Sequence, residues 1–200
     1  MLRNQIRPAV VLTLALMLIT GLLYPGLVTL LAQALFPRQA NGSLVSVGGK
    51  AVGSELIGQA FARPEYFHPR PSAAGAGYDG LASGGTNRGP IDRKLADTLV
   101  AQSVAQVRAE DGVSGPVPAD AATRSASGLD PHVSPANARI QVERVARARG
   151  VDAARIRALL EAHVEGRTAG VLGEPRVNVL MLNLDLDRTL GAPHPAGHPR

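Results

Sequence analysis

Apolar residues are concentrated at one end of this chain. Ala9 to Phe36 (AVVLTLALMLITGLLYPGLVTLLAQALF) runs 28 residues without a charge, with Arg3 and Arg7 before it and Arg38 after it. As a helix it would extend roughly 42 Å, more than the roughly 30 Å hydrocarbon core of a bilayer. The pattern predicts a transmembrane helix over 9–36, after a short segment 1–8. Ala32-Gln33-Ala34 supplies an A-x-A cleavage site. A secretory apolar region is only about 7–15 residues long, so length favours a retained anchor over a cleaved signal peptide. Gly21, Pro25 and Gly26 interrupt the leucine-rich pattern. Proline removes a backbone donor and kinks a helix, and glycine lets a second helix approach closely. These three positions are candidates for contact with a membrane partner; the alternative is a slightly bent helix facing lipid.

Beyond the helix the periodicities shorten. Residues 37–53, rich in Gly and Ser around Leu44, Val45 and Val47, read as a linker leading into a strand or turn. Ser54–Phe61 is too short to assign. Arg63–Pro90 is rich in proline and glycine, which excludes a regular element, yet it carries Tyr66, Phe67 and Tyr78. Long loops in compact domains are functional or disordered, and disordered segments are poor in aromatics. The expectation is an ordered loop, packed by Tyr66, Phe67 and Tyr78 and used for contact. Leu95, Leu99, Val100, Val104 and Val107 give a helix over Ile91–Arg108. Ser134-Pro135 starts a helix that stops at Gly150, and Asp152 caps another carrying Ile156, Leu159, Leu160 and Val164 on one face. Those two form an αα-hairpin. In Val177–Leu186, leucines 182, 184 and 186 alternate with Asn183, Asp185 and Asp187, which predicts a strand with those polar residues on its wet face. Residues 191–200 read as a disordered tail. The fold class is α+β: a single N-terminal transmembrane helix followed by one soluble α+β domain over 54–190.

Charge narrows the function. All 16 acidic residues lie after position 40, with 18 of the 21 basic ones, so the soluble part is near +2 rather than +5. Nucleic-acid binding needs a concentrated basic patch and is not indicated. The arginines before the long helix lean towards a cytoplasmic N-terminus and an extracytoplasmic main domain. No cysteine is present. Gly48-Gly49-Lys50-Ala51 lacks the upstream glycine and the Ser or Thr of a phosphate-binding loop. No Gly-x-Ser-x-Gly elbow occurs. His132 near Asp130 reads as a turn histidine, His163 as a helix-edge residue, and His194 and His198 lie in the tail. Arg144, Arg147, Arg149, Arg155 and Arg157 read as a solvated helix face. Ser83-Gly84-Gly85-Thr86-Asn87 offers a weak anion nest. With no catalytic constellation, the residues point to an accessory or interaction subunit.

Five segments together resemble one family. They are Leu56-Ile57-Gly58-Gln59-Ala60-Phe61; Tyr66-Phe67 with Arg70-Pro71-Ser72-Ala73; Ser83-Gly84-Gly85-Thr86-Asn87-Arg88-Gly89-Pro90; Ser127-Gly128-Leu129-Asp130-Pro131-His132-Val133-Ser134-Pro135; and Val177-Asn178-Val179-Leu180 with Leu182-Asn183. Gln141, Arg144-Val145-Ala146 and Ala148-Arg149-Gly150 fall between the last two. In this order after a single N-terminal helix, they resemble the C subunit of the Kdp potassium-transporting P-type ATPase. The departures are small: Thr86 where Ser is usual, Arg88 where an apolar residue is common, and the Pro/His tail.

The resemblance implies a non-catalytic accessory subunit of an ATP-driven potassium uptake pump in the cell inner membrane. Its partners would be a potassium-binding channel-like subunit, an ATP-hydrolysing P-type subunit and a small single-helix subunit. It would assemble the complex and, as a catalytic chaperone, raise the ATP affinity of the hydrolytic subunit. ATP would be held by that partner, although the glutamine matching Gln141 has been proposed in the family as a nucleotide contact. An extracytoplasmic domain cannot meet cytoplasmic ATP, so direct contact and export compete. Alternatives are a nucleotide-binding regulatory subunit and a secreted or tethered interaction module without a transport role.

Overall fold

A computed structural model describes residues 2–89 and 91–193. The chain divides into two compact units, the first running to Val52 and the second beginning at Gly53. In the first, the apolar run is helical throughout. Helix α1 (Leu2–Leu18) begins ahead of the uncharged stretch and contains Pro8. A widened π-type turn follows (Ile19–Leu23), and then α2 (Tyr24–Leu35). The turn has a cause in the sequence: Pro25 has no N–H to give a carbonyl one turn back. Tyr24 N–H bonds instead to Ile19 O, which makes room for the ring. Residues Asn4–Leu35 are long and apolar enough to cross a membrane. Short helix α3 (Pro37–Ala40) precedes the hairpin of β1 (Leu44–Val47) and β2 (Lys50–Ser54). Gly48 and Gly49 both have positive φ (59° and 79°), as the tight two-residue turn between strands requires.

The second unit is helical with a small sheet, which meets the α+β expectation. A π-type segment (Leu95–Val100) runs into α4 (Ala101–Asp111), and α5 (Ala119–Ala122) is a single turn. Strand β3 (His132–Val133) leads to α6 (Pro135–Arg149) and α7 (Ala153–Ala162). Ser134 and Asp152 cap α6 and α7 through their side chains, and α6 ends at Gly150 in the left-handed conformation. Strands β4 (Val164–Glu165) and β5 (Arg176–Asn178) follow, then α8 (Val179–Leu190). The sheet is antiparallel, in the order β3-β5-β4, with Val177 opposite both Val133 and Val164. The core gathers Phe67, Val142, Val145, Ile156, Leu160, Leu182 and Leu186 where α6, α7 and α8 meet.

The strand expected over Val177–Leu186 is the clearest correction. Only Arg176–Asn178 is extended; from Val179 the chain is helical, with Asn178 accepting from Met181 N–H as the cap. Leucines at alternate positions satisfied a period of two, but Val179, Leu182 and Leu186 also fit one helical face, and that face is buried. Asn183 therefore points into the core, 1% exposed, not onto a wet strand face. The tail expectation falls mainly on residues 194–200, with His194 and His198, which lie outside the described residues.

Candidate interaction site

The segment Pro64–His68 has no strand partner for its backbone, so side chains from two helices serve as that partner. From α8, Asn183 accepts from Phe67 N–H (2.8 Å) and donates to Phe67 O (2.9 Å). From α6, Gln141 does the same for His68, accepting from its N–H at 2.7 Å and donating to its carbonyl at 3.0 Å. Arg144 donates to the carbonyls of Pro64 and Tyr66, both at 2.8 Å. Arg149 donates to Glu65 O at 2.7 Å. Unpaired buried amides and carbonyls are costly, so these bonds hold an irregular strand in a single conformation. Phe67 is then fully buried, and Tyr66 is half-buried, its hydroxyl on Asp187 (2.8 Å) and its ring under the Arg149 guanidinium (5.0 Å to the centroid). Burial, and then Asp187, pushes the Tyr66 phenol upward.

Two sequence expectations change here. Arg144 and Arg149 do not belong to a solvated face. Arg144 pairs with Asp111 at 2.7 Å, both side chains 5% exposed, and Arg149 pairs with Asp187 at 2.8 Å. Burial pushes the Asp111 carboxyl up, against the opposing pull of Arg144. Asp185 and Asp187 are helix residues bound to cations: Asp187 to Arg149, and Asp185 to Arg188 with His163 at 3.7 Å. Arg155 and Arg157 are exposed, as expected of a wet face.

Gln141 has no hydrogen-bonding capacity left. Its oxygen accepts from His68 N–H and from Arg144 (2.8 Å), and its nitrogen donates to His68 O and Asn137 Oδ1 (3.0 Å). Those four bonds exhaust a side-chain amide. It borders a cavity of about 330 Å³, with Phe61, His68, Tyr78, Glu110 and Asp111 among the lining residues and neither Lys nor Arg in the lining. The lining presents two carboxylates, Asp111 already paired with Arg144, and no guanidinium or ammonium of its own to meet a phosphate chain.

The quoted motifs converge on the turn Ser127–Pro131. Gly58 N–H donates to Leu129 O, Gly84 N–H to Ser127 O and the Ser72 hydroxyl to Gly128 O. Tyr78, its phenol pushed far up by burial, donates to Arg70 O. Gly128 is left-handed (φ 68°), and a Cβ there would come within 2.7 Å of Ala74 N and Gly84 O. In the Ser83–Asn87 stretch Gly85 is the crowded glycine: a Cβ there would lie 2.9 Å from Ala126 O. Arg70 bridges to Asp130 at 2.9 Å, and Asp130 receives His132 N–H at 3.0 Å. Burial pushes the Asp130 carboxyl up, but His132 and Arg70 outweigh it and hold it at about 2.

Of the sequence candidates, Gly21 lies in the π-type turn, Pro25 begins α2 beside Gly26, and no neighbouring atoms crowd either glycine. Gln141 and Phe67 meet at the backbone clasp; Tyr66 joins it and Tyr78 lies farther along the loop. Sequence reading missed Asn183, Asn137 and Asp111 as members of this network. The signal available was a buried-face asparagine in a helical Leu182-Asn183-x-x-Leu186 pattern.

The architecture is that of an α+β unit preceded by one helix long and apolar enough to cross a membrane, with buried polar side chains of the α+β unit committed to shaping a loop. The comparisons carry this to a family. Residues 6–188 match the family model described as K+-transporting ATPase, c chain. The chain is 57% identical over 194 residues to the potassium-transporting ATPase KdpC subunit of Gemmatimonas aurantiaca, covering 96% of each. It is 61% identical over 176 residues to that of Myxococcus xanthus (88% of this chain, 83% of that protein). It is 54% identical over 194 residues to that of Rhodospirillum rubrum (97% and 100%). The chain belongs to the KdpC family, the C subunits of the potassium-transporting ATPase.

Proposed function

We propose that this chain is a non-catalytic accessory subunit of the potassium pump, anchored in the inner membrane with an extracytoplasmic domain that docks on the channel-like subunit. The supporting observation is the side-chain clasp on Pro64–His68. Preorganising a loop cuts the entropy lost on binding, as a docking surface requires. The surface is formed by the outer side of Tyr66 and the loop apex around Tyr78, where Leu81 is fully exposed. Phe67, fully buried, holds the loop from beneath. The ATP-hydrolysing and small single-helix subunits complete the complex. Any effect on ATP affinity passes through conformation. ATP stays on the hydrolytic partner, and Gln141 supports the loop rather than a nucleotide.

Detergent pull-down on the full chain tests the assignment: co-purification of a P-type ATPase subunit supports it, and its absence sinks it. Leu81→Asp should weaken that recovery without unfolding the chain. Placement is tested with Ser114→Cys, since the chain has no cysteine. An impermeant thiol reagent should label it in intact cells; labelling only after lysis would reject an outward domain. A Gln141→Ala chain that lost measurable ATP binding would favour the nucleotide reading.

A further inference from the structure

Arginines that leave the solvent in this fold do so with an acid. Among the described side chains, six arginines are buried or partly buried: Arg70, Arg88, Arg124, Arg144, Arg149 and Arg176. Five of them hold a carboxylate within 3.0 Å, in turn Asp130, Asp92, Asp111, Asp187 and Glu165. Arg124 holds none, and its Nε, shut off from solvent, donates to nothing among the described residues. A buried donor without an acceptor is costly, so the position calls for an acceptor that the free chain does not supply. Arg124 lines a cavity of about 160 Å³, with the π-type segment Leu95–Val100 on one side and the end of α5 on the other. Widened turns of that kind concentrate at functional sites. Leu95, Leu99, Val100 and Ala122 make the wall apolar. Ser103 has given its hydroxyl hydrogen to Leu99 O (3.0 Å) and Thr123 to Ala119 O (2.7 Å), which leaves Arg124 and Thr86 as the side-chain donors of the lining.

Size and charge set the ligand. Small-molecule pockets occupy about 300–1,000 Å³, so this one admits a single side chain rather than a whole ligand. One guanidinium matches one carboxylate bidentately. The second charge of a phosphate would sit uncompensated against leucine and valine. We propose that the cavity receives an acidic side chain from another subunit of the pump, its carboxylate on Arg124 and its methylene stem against Leu95, Leu99 and Val100. This rests on the accessory-subunit reading. Thr86 brings to the cavity the same loop that carries Leu81, so the site extends the proposed docking surface. Arg124 is then a contact that selects the partner, not a support of the fold.

Arg124→Met is measured first in the free full-length chain in detergent and then for recovery of the pump subunits. Because it loses no partner, its thermal midpoint should be unchanged or raised, whereas Arg70→Met, which strands Asp130, should melt lower. In pull-down, Arg124→Met should weaken association by roughly tenfold or more, and Arg124→Lys by less. The lysine variant also identifies the acid. The native lysines are Lys50 and Lys94, so carbodiimide treatment of the assembled Arg124→Lys complex should add one zero-length amide, from position 124 to a carboxyl of another subunit, located by mass spectrometry. A midpoint lowered in Arg124→Met as far as in Arg70→Met would give Arg124 a structural role and overturn the proposal. Undiminished association of Arg124→Met, or an amide to an acid of this chain or of a second copy, would overturn it while the accessory reading stands. If the unsubstituted chain recovers no pump subunit, that reading fails and the cavity loses its partner with it.

Discussion

Replacing Arg144 with methionine should cost the second unit more than any other arginine change. The side chain would keep its length and lose its charge. Asp111, 5% exposed, would then be a buried carboxylate without its cation, and the carbonyls of Pro64 and Tyr66 would lose their donor. Removing one partner of a buried pair costs about 3–5 kcal/mol, and the carbonyls raise the expected total to about 5 kcal/mol. For a domain of this size that lowers the midpoint by about 10–20 °C. Arg139→Met is the control, because the Arg139–Glu161 pair is exposed and should change stability by less than about 1 kcal/mol. Thermal unfolding of the full chain in detergent, followed by circular dichroism, reads both.

The same variant has a pH signature. Burial already raises Asp111, and without Arg144 its folded value rises further above its ordinary one. A carboxyl with a raised folded value contributes stability that is present below the unfolded value and lost as pH rises through the folded one. The deficit of Arg144→Met should therefore be smallest below about pH 4 and widen towards neutrality. Adding Asp111→Asn should recover about 2 kcal/mol at pH 7 by removing the buried charge. A deficit under about 1 kcal/mol, or one flat with pH, would refute the argument.

Other consequences can be measured on the same chain. Asn183→Ala should cost about 2–3 kcal/mol and speed hydrogen exchange at the Phe67 amide, since two buried backbone groups lose their partner. Gly128→Ala should cost about 2–4 kcal/mol in unfolding experiments, from its left-handed backbone and the clash with Ala74 and Gly84. Asp130, held at about 2, contributes stability present above its ordinary value and lost as pH falls through the window from there to about 2. Discounted for its partial exposure, that contribution is about 1 kcal/mol, and His132→Ala should flatten it in acid titrations followed by circular dichroism. Gly21→Leu should insert and fold normally, because space around Gly21 is open, while pull-down of the pump subunits is lost. An intact complex would make the helix only a tether.

The apolar run, both helix caps, the αα-hairpin and the α+β class were legible in the sequence because each rests on local physics. Twenty-eight uncharged residues, Ser134-Pro135, Asp152 and Gly150 act within a turn or two of themselves. The ordered aromatic loop could be anticipated from its composition, but not the manner of its ordering. Asn183, Gln141, Arg144 and Arg149 clasp backbone groups 73 to 116 residues away in sequence, and local periodicity carries no information at that range. For the same reason Val177–Leu186 read as a strand: leucines at alternate positions fit two periods. Burial of Val179, Leu182, Asn183 and Leu186 against the core chose the helical one. Arginines on α6 looked like a wet face because their carboxylate partners lie on α4 and α8. The sequence by itself determined the long apolar helix and the caps of α6 and α7, which rest on neighbours in the chain; only tertiary packing made Val179–Leu190 helical and decided which polar residues are surface and which build the loop.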